Sequence, residues 1–134
     1  MSTPTHLTHA RYFSTERHGL RLGQAVTESF AVVLHVTGEL DLATVPAFDR
    51  QLRIAEEQIV PPAPLVVDLT AVGFVSTLGL RVLVEHDQSC EAVYVPFRLV
   101  TDVRLRRTLR ITGLDSSLAQ FRTVREALAA DRRR

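Results

Sequence analysis

The sequence holds one cysteine, no lysine and no asparagine. A lone thiol, Cys90, leaves no intramolecular disulfide and no thiolate metal cluster to build. All 16 basic residues are arginine. Lysine and asparagine share AT-rich codons, so their joint absence points to a GC-rich coding sequence and not to a function. The net charge of +1 gives no general pull toward nucleic acid or an acidic membrane. No apolar run approaches the roughly 20 residues that span a bilayer. The first residues, MSTPTHLTHARYFSTERHG, lack the apolar segment of a secretory signal. The expected location is the cytoplasm, with neither membrane nor nucleic acid as a direct partner.

Catalytic motifs are missing too. There is no GxGxxG after a strand, no GxxxxGK[ST], no HExxH and no GxSxG. The five histidines are scattered, with no carboxylate or thiol partner evident in the sequence. Two of them, His6 and His9, are spaced closely enough to share a metal but lie in an unpatterned polar stretch that makes a poor site. The expectation is a protein that is not an enzyme, with no catalytic residues, metal or cofactor.

What is present is an ordinary globular pattern. The chain has 134 residues, 46% hydrophobic and 23% charged, which suits one domain around one core. Residues 1–19 read as a flexible extension, 20–130 as the domain, and 131–134 as a charged end. Leu20 to Glu28 and the β-branched Ala31 to Thr37 read as two strands joined by a short turn at Glu28-Ser29-Phe30. His35 reads as a plain strand histidine. Gly38 is expected to end the second strand, with Glu39 to Leu42 as a link.

Ala43 to Ile59 follows as a helix. Thr44 is its N-cap candidate and Pro46 is tolerated in the first turn. Phe48, Leu52 and either Ala55 or Glu56 form the inner face, with Asp49, Arg50, Arg53 and Glu57 on the wet side. Leu65 to Leu69 is apolar throughout, as a central strand buried on both faces would be. Beyond the bend at Ala71 to Val75, Leu80, Leu83 and Val84 mark the buried face of a second helix, opened by Ser76 or Thr77 and ending near Ser89. A further strand begins near Phe97, after Pro96. Asp102 caps a helix over Val103 to Thr112, which Gly113 ends. There Leu105 and Leu109 point inward. Arg104, Arg106, Arg107 and Arg110 lie around the solvent side, as a wet face or the rim of a protein interface. Thr123 and Glu126 form a capping box for a last helix over Ala127 to Ala130. Strands alternating with helices after an initial hairpin give an α/β fold, a mixed sheet of four to five strands packed against helices.

Asp68 to Leu80, DLTAVGFVSTLGL, sets two adjacent hydroxyls at a helix start directly after a buried strand. Such a position suits capping or chemical modification. This segment resembles the signature of STAS domains, in particular the bacterial anti-sigma-factor antagonists. GELDLAT (Gly38 to Thr44) is similar to the family's loop before its first helix. RRTLRITGLDSSL (Arg106 to Leu118) is similar to its helix and turn after the last core strand. The three segments occur in the family's order.

The resemblance implies a protein that binds an anti-sigma factor, itself a serine/threonine kinase with a histidine-kinase-like ATPase fold, and so regulates transcription. Phosphorylation at the helix start inactivates such antagonists and a PP2C-type phosphatase restores them. Counting back from Gly79, the acceptor position falls on Thr77. The partner surface is expected at Glu39, Asp41, Ser76, Thr77, Leu78, Gly79 and Arg81. Two residues depart from the family pattern. Ser76 stands where Asp usually precedes the acceptor, which makes Ser76 the alternative acceptor, and Leu78 replaces a small residue. The alternative role is a STAS subunit that is not phosphorylated, within a stress-sensing complex or a lipid-transport ATPase.

Overall fold

The computed structural model describes residues 9–130, with side chains from His18 onward. Six strands and four helices follow in the order β1 (His9–Arg17), β2 (Leu20–Val26), β3 (Val32–Leu40), α1 (Val45–Gln58), β4 (Leu65–Val75), α2 (Thr77–Ala92), β5 (Phe97–Val100), α3 (Val103–Ile111), β6 (Ala119–Phe121) and α4 (Val124–Ala129). The strands form one sheet in chain order. The pairs β1–β2 and β2–β3 are antiparallel, and β3–β4, β4–β5 and β5–β6 are parallel. The mixed sheet against helices is the architecture the alternating pattern implies, with strands added at both edges.

β1 corrects the reading of residues up to 19 as a loose extension, because His9–Arg17 pairs along β2. Polar edge strands carry little apolar alternation, so the pairing partner is what reveals them. His6, in the suggested metal pair, lies outside the described residues, as does the charged end 131–134. β6 is three residues long, too short for any period to register.

Each parallel crossover carries its helix to one face of the sheet. There Leu34, Val36, Leu65, Val67, Leu69 and Leu99 meet Phe48 and Leu52 of α1, Leu83 of α2, and Leu105 and Leu109 of α3 in the main core. On α1 it is Ala55 that is buried, and Glu56 lies at the margin. The opposite face carries a smaller cluster, Val33, Val66 and Val100 under Ala127 of α4. Cover on both sides explains why β4 starts as Leu65-Val66-Val67 without alternation. The buried Arg98 points to this second face and donates from Nη1 to the Ala127 carbonyl at 2.8 Å. That bond ties the last turn of α4 to β5 and sets a cation at a helix C-terminus.

Gly38 does not end β3, as its type suggested. It sits inside the strand at φ +124, and the strand continues to Leu40. A Cβ there would lie 2.7 Å from the Gly19 carbonyl oxygen. Only glycine fits both the backbone angle and the contact. Gly38→Ala is expected to cost about 2–3 kcal/mol, measurable as a lower urea midpoint with an unchanged m value. This kink carries the chain from the sheet into the loop beside the second helix start.

Candidate functional site: the start of the second long helix

β3 and β4 run in parallel to adjacent ends, with Leu40 opposite Val75. The chain leaves both at the same edge of the core, so the end of β3 with Asp41 after it and the Ser76–Thr77 helix start lie side by side. A backbone bond joins them directly, from Ser76 N to the Leu40 carbonyl at 2.8 Å. The sequence resemblance placed its partner-binding residues on these two segments, and the parallel pairing brings them together.

The two hydroxyls have different jobs. Ser76 is the N-cap of α2, and its Oγ accepts from the Gly79 amide at 3.1 Å. It is half-buried. Thr77 is the first helical residue and is exposed; among the described residues its hydroxyl has no hydrogen-bond partner. Capping and chemical availability, which the sequence left to either residue, are thus divided between them. Ser76→Ala is expected to lower stability by about 1 kcal/mol through loss of the cap, read as a small drop in the thermal midpoint.

The flanking residues position this start. Gly79 is buried, and a Cβ there would stand 2.9 Å from Val75 Cγ1 and 3.4 Å from Leu40 Cβ. Its bare backbone lets α2 begin close against the ends of β3 and β4. Leu78 is half-buried and packs on the main core, so it faces inward more than its bulk suggested. Glu39 and Arg81 are exposed. Asp41 is half-buried, and its Oδ1 accepts from the amides of Ala43 at 3.0 Å and Thr44 at 3.1 Å. Thr44 occupies the cap position of α1 but makes no side-chain cap bond. Its Oγ1 instead donates to the Glu39 carbonyl at 2.7 Å and accepts from the Asp41 amide at 2.9 Å. Asp41 and Thr44 hold the loop rigid beside Thr77.

The two segments that meet here also expose apolar side chains that the sequence reading did not single out. Leu42 is 80% exposed and Phe74 is 53% exposed, and they sit on the same loop and on the strand leading to Ser76. Their signal in the sequence is weak, since an apolar residue in a turn reads as noise until its neighbours are known.

The arginines of α3 behave as the spacing predicts. Leu105 and Leu109 are buried, and Arg104, Arg107 and Arg110 are exposed. Arg106 is half-buried and donates from Nη2 to the Thr101 carbonyl at 2.7 Å. Asp102 Oδ1 caps this helix from the Leu105 amide at 2.9 Å, and Thr123 Oγ1 caps α4 from the Glu126 amide at 3.0 Å.

Two histidines do find carboxylates, contrary to the reading of scattered, unpartnered imidazoles. His35 Nδ1 lies 2.9 Å from Asp68 Oδ2, across β3 and β4. Asp68 also accepts from the Thr70 hydroxyl and amide. Burial raises the Asp68 pKa, but the bonds from His35 and Thr70 outweigh it and hold the carboxyl below its usual value. His86 of α2 is buried between two carboxylates of α1. Its Nε2 is 2.6 Å from Asp49 Oδ1, and its Nδ1 bonds Glu56 Oε2. Asp49 and Glu56 stand seven residues apart, two helical turns, so one imidazole reaches both. Neither cluster adjoins Thr77, and both serve to join elements.

A strand–helix start of this kind, beside a loop held by a parallel neighbour in a mixed sheet, is the arrangement of a STAS domain. The family model described as STAS domain matches residues 24–127, and the chain belongs to that family. Among curated relatives, the anti-sigma-F factor antagonist RsfB of Mycobacterium tuberculosis is 34% identical over 101 residues, covering 75% of this chain and 80% of that protein. RsfA of the same organism, also an anti-sigma-F factor antagonist, is 30% identical over 101 residues, covering 75% and 79%. Among solved structures, an anti-sigma factor antagonist from Mycobacterium paratuberculosis superposes with TM-score 0.67 at 27% identity, covering 96% of both chains. The unphosphorylated form of the anti-sigma factor antagonist SpoIIAA gives TM-score 0.64 at 20% identity over 79% of this chain and 91% of that one, a likeness of fold. No helix among the described residues is long and apolar enough to cross a membrane.

Proposed function

We propose that this chain is an anti-sigma-factor antagonist. It binds a serine/threonine-kinase-type anti-sigma factor of histidine-kinase-like ATPase fold and thereby frees a sigma factor for transcription. Phosphorylation of Thr77 switches it off, and a PP2C-type phosphatase resets it. The observation that carries this reading is the division of labour at the helix start: Ser76 is engaged as the cap, while Thr77 is exposed with its hydroxyl uncommitted. RsfB and RsfA, which carry the antagonist name, support the class of partner.

Thr77, Arg81 and Glu39 form the exposed part of the partner surface. Asp41, Ser76, Leu78 and Gly79 hold it in shape. A phosphate on Thr77 would bring about −1.5 to −2 charge to a helix N-terminus, where the free amides and the helix dipole favour an anion. The domain therefore stays folded, and the penalty falls on the contact with the partner. Incubation with a cognate kinase-type anti-sigma factor and ATP, followed by phosphopeptide mapping, tests the assignment. A single phosphate on Thr77 is the expected result. Label on Ser76 would move the acceptor by one residue, and no label on either would sink the switch.

A further inference from the structure

The end of the sheet opposite Thr77 is built from three loops, the β2–β3 turn, the α1–β4 connection and the α2–β5 connection. Backbone bonds tie them together, from Val32 N to the Pro64 carbonyl at 3.1 Å and from Leu65 N to the Pro96 carbonyl at 2.9 Å. These loops expose Phe30, Val60, Val93 and Tyr94 by 61, 58, 53 and 81%. Four of the nine large exposed hydrophobics among the described residues thus gather at one end, which distinguishes a patch from scattered surface residues. Phe30 and Tyr94 have φ of 68° and 64°. That left-handed region suits glycine or asparagine and disfavours bulky side chains. Two aromatics held there, facing solvent, do nothing for the core of a free copy.

The part of this end formed by α1 and α2 is acidic. α1 and α2 both terminate here, so their negative dipole ends coincide, and neither has a basic residue in its last turn. Glu57 and Glu91 in those last turns are exposed and add to the same field. Burial, with the charge of Glu91 second, raises the pKa of neighbouring Asp87. A surface of this kind fits a partner that is both apolar and cationic.

The chain carries that complement itself. Val103, Arg107, Arg110 and Ile111 of α3 stand at i, i+4, i+7 and i+8, one helical face. All four are exposed, the two aliphatics by 74 and 75%. α3 runs back toward the same end of the sheet, between β5 and β6. The two surfaces therefore share one flank of a copy, and a two-fold axis can pair them reciprocally. We propose that this chain self-associates, the apolar, acid-rimmed end of the sheet in one copy docking the arginine-bearing face of α3 in a second. This inference does not rest on the anti-sigma-factor reading.

Sedimentation velocity of the full chain, from micromolar to near-millimolar concentration at low and high salt, tests it. The sedimentation coefficient is expected to rise with concentration and to fall back toward the monomer value in high salt, where exposed charges are screened. Tyr94→Gly suits the backbone angle, so it removes the ring without burdening the fold, and is expected to weaken association about tenfold. Glu91→Arg and Arg107→Glu each weaken it by setting like charges together. Mixing those two variants restores association, because every contact in the mixed dimer again pairs opposite charges. Thr77→Glu leaves association unchanged, which separates this surface from the partner-binding one. Sedimentation independent of concentration would overturn the proposal and leave this end of the sheet to a cationic segment of a different protein. Association indifferent to Tyr94→Gly and to the charge exchange would overturn it equally.

Discussion

Thr77→Glu is expected to weaken binding to the anti-sigma factor by two to three orders of magnitude while leaving the fold intact. The side chain at 77 is exposed and makes no internal hydrogen bond among the described residues, so its replacement removes nothing from the core. A carboxylate in the first turn of α2 is slightly favourable to the helix itself. The loss arises only when a partner covers the site, since taking an unpaired charge out of water costs about 3–4 kcal/mol even with partial compensation. That is about a hundredfold to a thousandfold in Kd. Titration calorimetry with the cognate anti-sigma factor reads the loss, and a thermal midpoint within a degree or two of the parent shows that the fold is untouched. Thr77→Val supplies the opposite control. It keeps the shape, loses the acceptor, and should leave a complex that ATP no longer dissolves. Glutamate binding as tightly as threonine would refute an electrostatic switch at this position.

His86→Ala is expected to be the most destabilising of these substitutions, by about 3 kcal/mol, or roughly 10 °C in thermal midpoint for a domain of this size. The imidazole is 7% exposed, whereas the Asp49 and Glu56 side chains it joins are 29% and 20% exposed. Its removal leaves a hole between α1 and α2 and two carboxylates without their shared donor. Their partial access to water keeps the loss below that of a fully buried pair. Glu56 would retain the Ser89 hydroxyl at 3.2 Å, and Asp49 would retain Arg53. The helix α2 that His86 anchors is the one Thr77 begins, so its docking on α1 also fixes where the proposed acceptor stands.

The same cluster predicts a pH dependence. Burial raises the Asp49 pKa, but the bonds and charges of His86 and Arg53 prevail and leave it below the usual 3.8. Asp68 is lowered in the same sense by His35 and Thr70. For such groups the native state binds the proton less well than the unfolded chain. Their stabilisation is complete above the unfolded value and is lost as pH falls through the lower folded value. Asp87 works the other way. Burial and Glu91 raise it, so it opposes folding at higher pH and that opposition is relieved on acidification. With two lowered groups against one raised, denaturant midpoints should fall below about pH 4, and fall less steeply in His86→Ala, which has already lost one of the stabilising contacts. A midpoint that rises on acidification would contradict the assignment.

The elements that the sequence announced clearly are those whose signals are local. Asp102 and Thr123 cap their helices where the spacing placed them, Leu105 and Leu109 turn inward, and the apolar Leu65 to Val67 is a doubly covered strand. β1 and β6 escaped notice because an edge strand is defined by its neighbour and needs little apolar pattern of its own. Gly38 misled for a related reason. A glycine commonly ends a strand, but here a close approach of Gly19 demands it inside one. Asp49 read as a wet-face carboxylate until α2 supplied His86 across the helix pair.

By itself, then, the sequence determined the alternation of strands and helices, the caps, the inner faces and the STAS signature, since each depends on residues a few positions apart. Tertiary structure alone decided which hydroxyl is free. Ser76 and Thr77 are adjacent and chemically alike, and both stand at the start of the same helix. Only the close seating of Gly79 against Val75 and Leu40, at the paired ends of two parallel strands, turns Ser76 inward as the cap and leaves Thr77 facing solvent.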